Sequence, residues 1–452
     1  MTTDAHWDPA QDTRDWASRC EEHLARVPDL VQRLVAVSPF YRSRLTGFET
    51  ARTADRGWLA DLPFTTKDDL HAAQEAISDE HPLGALQCGP TSDLVQVIAS
   101  SGTTGLPVFF GLTAADWRSW RHGIANLFFT AGVRRGSVVA LTTGMPMVAG
   151  GLPFADGIRE AGATLAWVGG QTTARMASIV ERLKVGVLVG TASFAQFSAD
   201  ACGQALGRPA RELSVTTLIG GGEPGLGEPE IRQRVAEGWG ATRVSEIMGL
   251  GDVMSGLWAE CDQAGGMHFT AGRDVLVELI DPDGGAHVAW EAGAEGEAVY
   301  TTLTREATPV LRYRSRDHLR VMATSCACGR AAPRVRCVGR TDDMLIYKAM
   351  NVFPSAIRDV VLREFGRSLT GAMRIRKSHP GQVRFDEAIP LEVEVGDGLE
   401  PAVVTDLRTG IAEAVRRQLR VRVDVEPVAT GTIPVGAYKN PLTYVREDGA
   451  SA

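Results

Sequence analysis

Short apolar runs alternate with amphipathic stretches through the first half of the chain. DLVQVIAS (93–100), SVVALT (137–142), ATLAWV (163–168), VGVLVG (185–190) and TTLIGG (216–221) read as strands. Segments of about 10–16 residues between most of them have helical periodicity. Apolar strands separated by helices predict parallel sheets covered on both faces. Ligands in such folds sit at the carboxyl ends of the strands. SSGTTG (100–105), GTAS (190–193) and GGGEP (220–224) fall at such ends. Upstream, residues 14–45 read as helical, with Trp16, Leu24, Val27, Leu30, Leu34 and Val37 on one face. In LPFTTKDDL (62–70), Thr66 and Asp69 suit a capped helix start.

The period changes after residue 273. DVLVELID, EAVYTTLT and TPVLRYR read as antiparallel strands, predicting a compact β-subdomain over 273–322. Beyond about 342 the order is strand, helix, strand, strand, helix, strand. Val404, Leu407, Ile411, Val415 and Leu419 form the buried stripe of the second helix. The expected fold is α/β: a large domain over 1–341, with parallel-rich sheets flanked by helices plus a β-subdomain, and a small α+β domain over 342–452.

Composition narrows the class. The 452 residues are 44% hydrophobic and 23% charged, as in ordinary globular proteins. A net charge of −8 argues against a nucleic-acid partner, which needs a basic face. The apolar runs are too short to span a membrane. The polar, acidic start MTTDAHWDPAQDTRDW does not read as a signal peptide. Seven cysteines in a chain of this length make no disulfide framework. A cytoplasmic enzyme is the expectation.

Chemistry concentrates first at Ser100, Ser101, Gly102, Thr103, Thr104 and Gly105. Glycines admit close backbone approach, and hydroxyls with main-chain N–H groups bind phosphate oxygens. The run lacks the GxxxxGK[ST] of a Walker loop. Alone, such a cluster is more often a plain turn. Its order with SPFYRSRL (38–45), LPFTTKDDL, GGGEP, TTLTREATPVLRYRSRD (301–317), CACGR (326–330) and GRTDDMLIYKAMNVFPSAI (339–357) decides between them. Over about residues 38–440 the chain resembles phenylacetate–CoA ligase and its aryl-acid relatives in the adenylate-forming superfamily.

The resemblance implies ATP-dependent activation of a carboxylic acid as acyl-AMP, then transfer to a thiol, with CoA as co-substrate, Mg²⁺ as cofactor and a small domain that swings between steps. It implies that the SSGTTG loop holds the outer phosphates and that Gly222, Glu223 and Pro224 flank the adenine. Asp317 meets the ribose, Arg340 contacts ribose or phosphate, Asp342 is the hinge, and Lys439 is the mobile lysine bridging carboxylate and phosphate. Asp317 also reads as a surface acid, Arg340 and Asp342 as a turn ion pair, and Lys439 as a solvated lysine.

Several positions depart from the family pattern. Leu106 stands where a lysine usually follows SSGTTG, so a cation for the outer phosphates is missing there; Arg118 is one candidate substitute. In MGLGD (248–252), Met248 replaces the aromatic that stacks on the nucleotide, Gly251 a hydroxyl residue, and Asp252 the Mg²⁺-linked Glu. Arg316 adds a cation where glycine is common.

Cys261, His268, Cys326 and Cys328 supply three thiols and an imidazole bordering the β-subdomain, a suitable shell for structural Zn²⁺. Buried free cysteines are the alternative, and Cys337 is a competing ligand. Cys20, Cys88 and Cys202 read as packing residues. The acid pocket is expected around Met145, Met147, Val148, Phe154, Ser193, Phe194, Gly221 and Met248, whose apolar character suits a planar aromatic acid. The same residues serve equally as core. Asn351 and Phe353 fall near the expected thiol tunnel, where Lys348 and Arg358 are candidates for CoA phosphates. Three functions stay open: an aryl-CoA ligase; an adenylating enzyme serving a separate carrier protein or an amine, or activating an inorganic acid such as nitrite; and a non-catalytic nucleotide-binding homologue. Homodimers occur in the family.

Overall fold

The computed structural model describes residues 5–100, 107–143, 147–222, 225–341, 343–348, 350–379, 382–434 and 442–445. The chain divides into two compact units, one of 1–222 and 235–336, the other of 223–234 and 337–452.

In the first unit the expected parallel strands form. Val138–Leu141 pairs with Thr164–Trp167 and Val187–Gly190, followed by Thr217–Gly220 and Arg243–Leu250, all parallel. Helices Leu152–Glu160, Thr173–Arg182 and Ala192–Leu206 connect them. Val139, Ala140, Leu141, Leu188 and Val189 are buried, as a sheet covered on both faces requires.

Two expectations change and a third is refined. Leu94–Ala99 does not join this sheet; it pairs antiparallel with Phe109–Thr113 as a separate ribbon, Ala99 opposite Phe109. The SSGTTG run therefore connects two antiparallel strands rather than following a parallel one. The strands over 273–322 form as expected and are joined to the parallel strands in a single sheet. Val275–Ile280, Glu295–Thr302 and Tyr313–Ala323 continue the same ladder, through Arg334–Arg340, Met267–Phe269 and Met254–Glu260, to Arg243–Leu250, giving 11 strands among the described residues. Arg243–Leu250 makes the join, parallel on one edge and antiparallel on the other. The stretch 14–45 breaks into Trp16–Ala25, Val27–Val37 and Pro39–Arg44. Pro28 and Pro39 start the second and third helices, because proline lacks the N–H that an interior position must donate. Val37 consequently lies 40% exposed instead of on a shared buried face.

The helix Arg56–Asp61 is tied to the antiparallel strands by a buried cation. Arg312 donates to Glu278 at 3.1 and 3.2 Å and to the carbonyls of Ala60 and Leu62. Burial pushes the Glu278 carboxyl up, opposed by the Arg312 charge.

The second unit has its own core of Leu345, Ile357, Val361, Ile375, Leu391, Val393, Ile411, Val415 and Val425. Strands Leu369–Lys377, Ile389–Val395 and Val423–Val428 form its sheet with Thr443–Val445. Helices Pro354–Phe365 and Pro401–Leu419 belong to the same unit. Leu407, Ile411 and Val415 of the expected stripe are buried. The 223–234 segment belongs here too: Ile231 packs on this core, and Arg234 donates to the Gly366 carbonyl at 2.8 Å. No described helix is long and apolar enough to cross a membrane.

Candidate active site

The site begins at Ser100, the residue that leaves the ribbon. Its N–H donates to the Val108 carbonyl at 2.9 Å, closing the base of the glycine–hydroxyl loop. Residues 101–105, and Leu106, lie outside the described residues. Two distant segments meet at Ser100. Lys67 opens the helix Lys67–Glu75, which Thr66 and Asp69 start with a reciprocal capping box, as expected. Its Nζ donates to Ser100 Oγ and to Asp252 Oδ1, both at 2.6 Å. Asp252 lies in the turn between Arg243–Leu250 and Met254–Glu260 and is 7% exposed. Short charge-assisted contacts of this kind fix geometry as well as contributing energy.

Lys67 was not among the sequence candidates. A signal for it existed. A lysine at the first position of a helix opposes the helix dipole unless an acid or a bound anion offsets it. Asp252 is that acid. The other cation considered, Arg118, is exposed on the helix Ala114–Ala131, and Lys67 is the cation bonded to Ser100.

The two glycines of MGLGD are not equivalent. A Cβ on Gly249 would collide with the Ser255 carbonyl, whereas one on Gly251 would sit 3.5 Å from Ser100 Cα, an ordinary contact. Gly249→Ala is expected to cost about 2–3 kcal/mol, the scale of a clash against backbone. Gly251→Ala should stay within about 1 kcal/mol of the parent. Denaturant midpoints of the two variants check this pair.

The pocket candidates are spread over several elements. Gly221 is set tightly against the Ile247 carbonyl at the end of Thr217–Gly220. Gly190 faces Thr142 and the Phe194 ring, and Gly150 faces Thr143 and the Phe154 ring. Ser193 contacts Thr191, whose hydroxyl caps the Phe194 N–H. Phe154 is only half-buried and stacks edge-on against the core residue Phe128. Met147 is 44% exposed, and its carbonyl accepts from Ala99 N–H at 3.0 Å. Val148 lies beside it in the same turn region. Met248 pairs across strands with Trp258. Met145 lies outside the described residues.

Asp317 is buried in Tyr313–Ala323, not on a surface loop, and its N–H donates to Ser315 Oγ at 3.1 Å. Arg316 has φ of 66° and points its guanidinium at Glu297, 3.6 Å away, so this extra cation shares a buried acid with Arg314. Gly222 has φ of 84° in the loop after Thr217–Gly220. Arg340 ends the strand Arg334–Arg340, and its carbonyl accepts from Asp343 N–H. Glu223, Pro224, Asp342 and Lys439 lie outside the described residues. Of the CoA candidates, Arg358 is buried beside Asp359 at 3.5 Å, while Lys348 is exposed.

The cysteine–histidine set does converge. One donor atom from each of Cys261, His268, Cys326 and Cys328 lies within 4.8 Å of the others. Cys261 Sγ and Cys326 Sγ are 3.7 Å apart, and Cys328 Sγ is 3.4 Å from His268 Nε2. A tetrahedral Zn²⁺ with bonds of about 2.3 Å to sulfur and about 2.0 Å to nitrogen sets those edges near ~3.8 and ~3.5 Å. His268 Nδ1 donates to the Ala332 carbonyl at 2.7 Å, which leaves Nε2 facing the sulfurs. The Cys328 thiol is held well below its ordinary range by hydrogen bonds, first from Cys261 and then from His268. Cys337 is not in the set; its thiol donates to the Gly339 carbonyl. Two N-terminal contacts secure the loop: His6 Nε2 lies 3.0 Å from the Cys328 carbonyl, and Ala331 N–H donates to the Asp12 carbonyl.

A mixed sheet flanked by helices, with a loop of the SSGTTG type and an acid-bound lysine at its base, defines an enzyme of the acyl-adenylate-forming fold. A solved structure of 2-hydroxyisobutyryl-CoA ligase in its postadenylation state superimposes with a TM-score of 0.87, covering 98% of this chain and 93% of that one at 25% identity. The chain is 34% identical over 347 residues to a phenylacetate–coenzyme A ligase of Thermus thermophilus, spanning 76% of this chain and 74% of that protein. It is 29% identical to the Aromatoleum evansii phenylacetate–coenzyme A ligase over 84% of each chain. No family model matches. The chain belongs to the phenylacetate–CoA ligase family.

Proposed function

We propose that this protein is an AMP-forming ligase that activates an aromatic carboxylic acid and passes the acyl group to CoA in the cytoplasm. The observation that carries the reading is the meeting of Lys67, Ser100 and Asp252 at the base of the glycine–hydroxyl loop. A carboxylate oxygen of the acid attacks the α-phosphorus of ATP. The bond from that phosphorus to the bridging oxygen breaks, and pyrophosphate leaves. The developing phosphate charge is met by the loop's N–H and hydroxyl donors and by Lys67, which supplies the cation that Leu106 does not. The thiol sulfur of CoA then attacks the acyl carbon, the carbon–oxygen bond to phosphate breaks, and AMP departs.

Asp252 fits a share in holding Mg²⁺, since one buried carboxylate beside a phosphate loop is the usual protein contribution when phosphates and water fill the remaining positions. Such an ion neutralises charge on the phosphates. Asp317 is the proposed ribose ligand, Arg340 a second nucleotide contact, Lys439 the bridging lysine of the first step, and Asp342 the hinge on which residues 342–452 move between steps. Met145, Met147, Phe154, Ser193, Phe194 and Gly221 are the proposed acid-pocket positions. Cys261, His268, Cys326 and Cys328 are proposed to hold structural Zn²⁺, whose four ligands leave no open position for chemistry.

The test is pyrophosphate release from ATP with benzoate-, cinnamate- and phenylacetate-type acids, with and without CoA. Acid-dependent release with a CoA-dependent thioester product supports the reading. AMP formation indifferent to CoA points to another acceptor, and no release with any acid overturns the enzyme assignment.

A further inference from the structure

Arg305 is a cation that the reaction above does not use. It is 3% exposed, and its guanidinium lies between the rings of Phe110 and Trp120, 5.2 Å from each centroid. One arm donates to the Asp252 carbonyl at 2.7 Å and reaches the Val253 carbonyl at 3.5 Å. Its Nε and Nη2 are buried without a hydrogen-bond partner. A buried guanidinium so incompletely paired is costly, and replacing such groups by apolar ones is often neutral or stabilising. Stability alone is therefore a poor account of why an arginine stands here.

The backbone on either side is pinned. The Arg305 carbonyl accepts from Arg33 at 2.9 Å, and the N–H groups of Glu306 and Ala307 donate to the Asp116 carboxylate at 2.7 and 3.1 Å. Asp116 is itself fixed by its capping box with Thr113. The arm of Arg305 thus extends from a rigid base to the turn that carries Asp252, whose side chain holds Lys67, which holds Ser100.

We infer that Arg305 is a positioning residue for adenylation: by gripping the main chain at 252–253 it sets where the Asp252 carboxylate and the Lys67 ammonium stand against the phosphates. This rests on the roles proposed above for Asp252 and Lys67. A displacement of about 1 Å in such groups costs on the order of 10²-fold in rate.

Arg305→Met keeps the length and packing but cannot donate; Arg305→Lys can still reach one carbonyl. Pyrophosphate release should fall about 30–100-fold in kcat for the Met variant, with the KM for the acid within about twofold of the parent. The Lys variant should recover a large part of that loss. Calorimetry gives a second readout: the gain in ATP affinity on adding Mg²⁺ should shrink at least about fivefold in Arg305→Met. A folded Met variant with the parent's kcat and Mg²⁺ gain overturns the inference. Should the Met variant not fold, an Arg305→Gln variant, whose side chain is too short to reach the 252–253 carbonyls, overturns it equally if it matches the parent in thermal stability and loses neither kcat nor Mg²⁺ gain. If the parent itself releases no pyrophosphate and binds no ATP, the functional reading fails instead.

Discussion

Lys67→Ala is expected to slow acid-dependent pyrophosphate release by about 10²–10³-fold, the scale of losing one preorganised donor to a developing phosphate charge. The loss should fall on kcat more than on the KM for the acid, because the cation acts where charge builds up. Two accounts of Lys67 make different predictions. If it serves only to neutralise Asp252, which is 7% exposed, then Lys67→Ala/Asp252→Ala will be no worse than Asp252→Ala alone. If it also meets the phosphates, the double variant will be slower than either single one. A double-mutant cycle on the pyrophosphate rate separates them. Unchanged kcat in Lys67→Ala would remove the main support for the proposed site.

The second large effect concerns the cysteine–histidine set. Purified protein is expected to carry about one zinc per chain, and Cys328→Ser to lose it. Losing a four-ligand structural metal removes binding energy that is also folding energy. With about 3 kcal/mol lost locally, at roughly 2–4 °C per kcal/mol, the thermal midpoint should drop by about 6–12 °C. A chelator should produce the same drop in the parent and no further drop in the variant. Metal analysis with differential scanning calorimetry checks both. Metal-free protein with an unshifted midpoint in Cys328→Ser would make the four residues a packing cluster. The sequence spacings CxxxxxxH and CxC are looser than paired CxxC knuckles. The convergence arises because Met267–Phe269 pairs with Arg334–Arg340 and so brings His268 beside the loop carrying Cys326 and Cys328.

Strand-forming runs at 137–142, 163–168, 185–190 and 216–221 were legible because an apolar run between helices has few other fates. Pairing was not legible for 93–100. Alternation announces a strand but not its partner, and Leu94–Ala99 found Phe109–Thr113 across the loop it frames. The antiparallel half was read correctly as strands, but its continuity with the parallel strands in one sheet was not legible. Nothing local in Arg243–Leu250 reveals that its two edges serve different neighbours. Motif order singled out the glycine–hydroxyl loop, Asp252 and Asp317 as candidates, and of these Ser100 and Asp252 meet through Lys67. It missed Lys67, which sits 185 positions from Asp252 in the chain and whose nearest sequence cue was a helix cap. It missed Arg305 as well, since a charge in a strand-rich stretch gives no sign that its arm ends on another turn.

The segment 223–234 has a practical consequence. Ile231 packs on the C-terminal core, and Arg234 donates to the Gly366 carbonyl. A fragment begun at residue 337 would therefore lack a piece of its own hydrophobic cover and leave the Gly366 carbonyl without that arginine. Recombinant production of the tail by simple truncation should yield sticky, poorly soluble material; grafting the 223–234 peptide back through a flexible linker is the more promising route to an isolated C-terminal module.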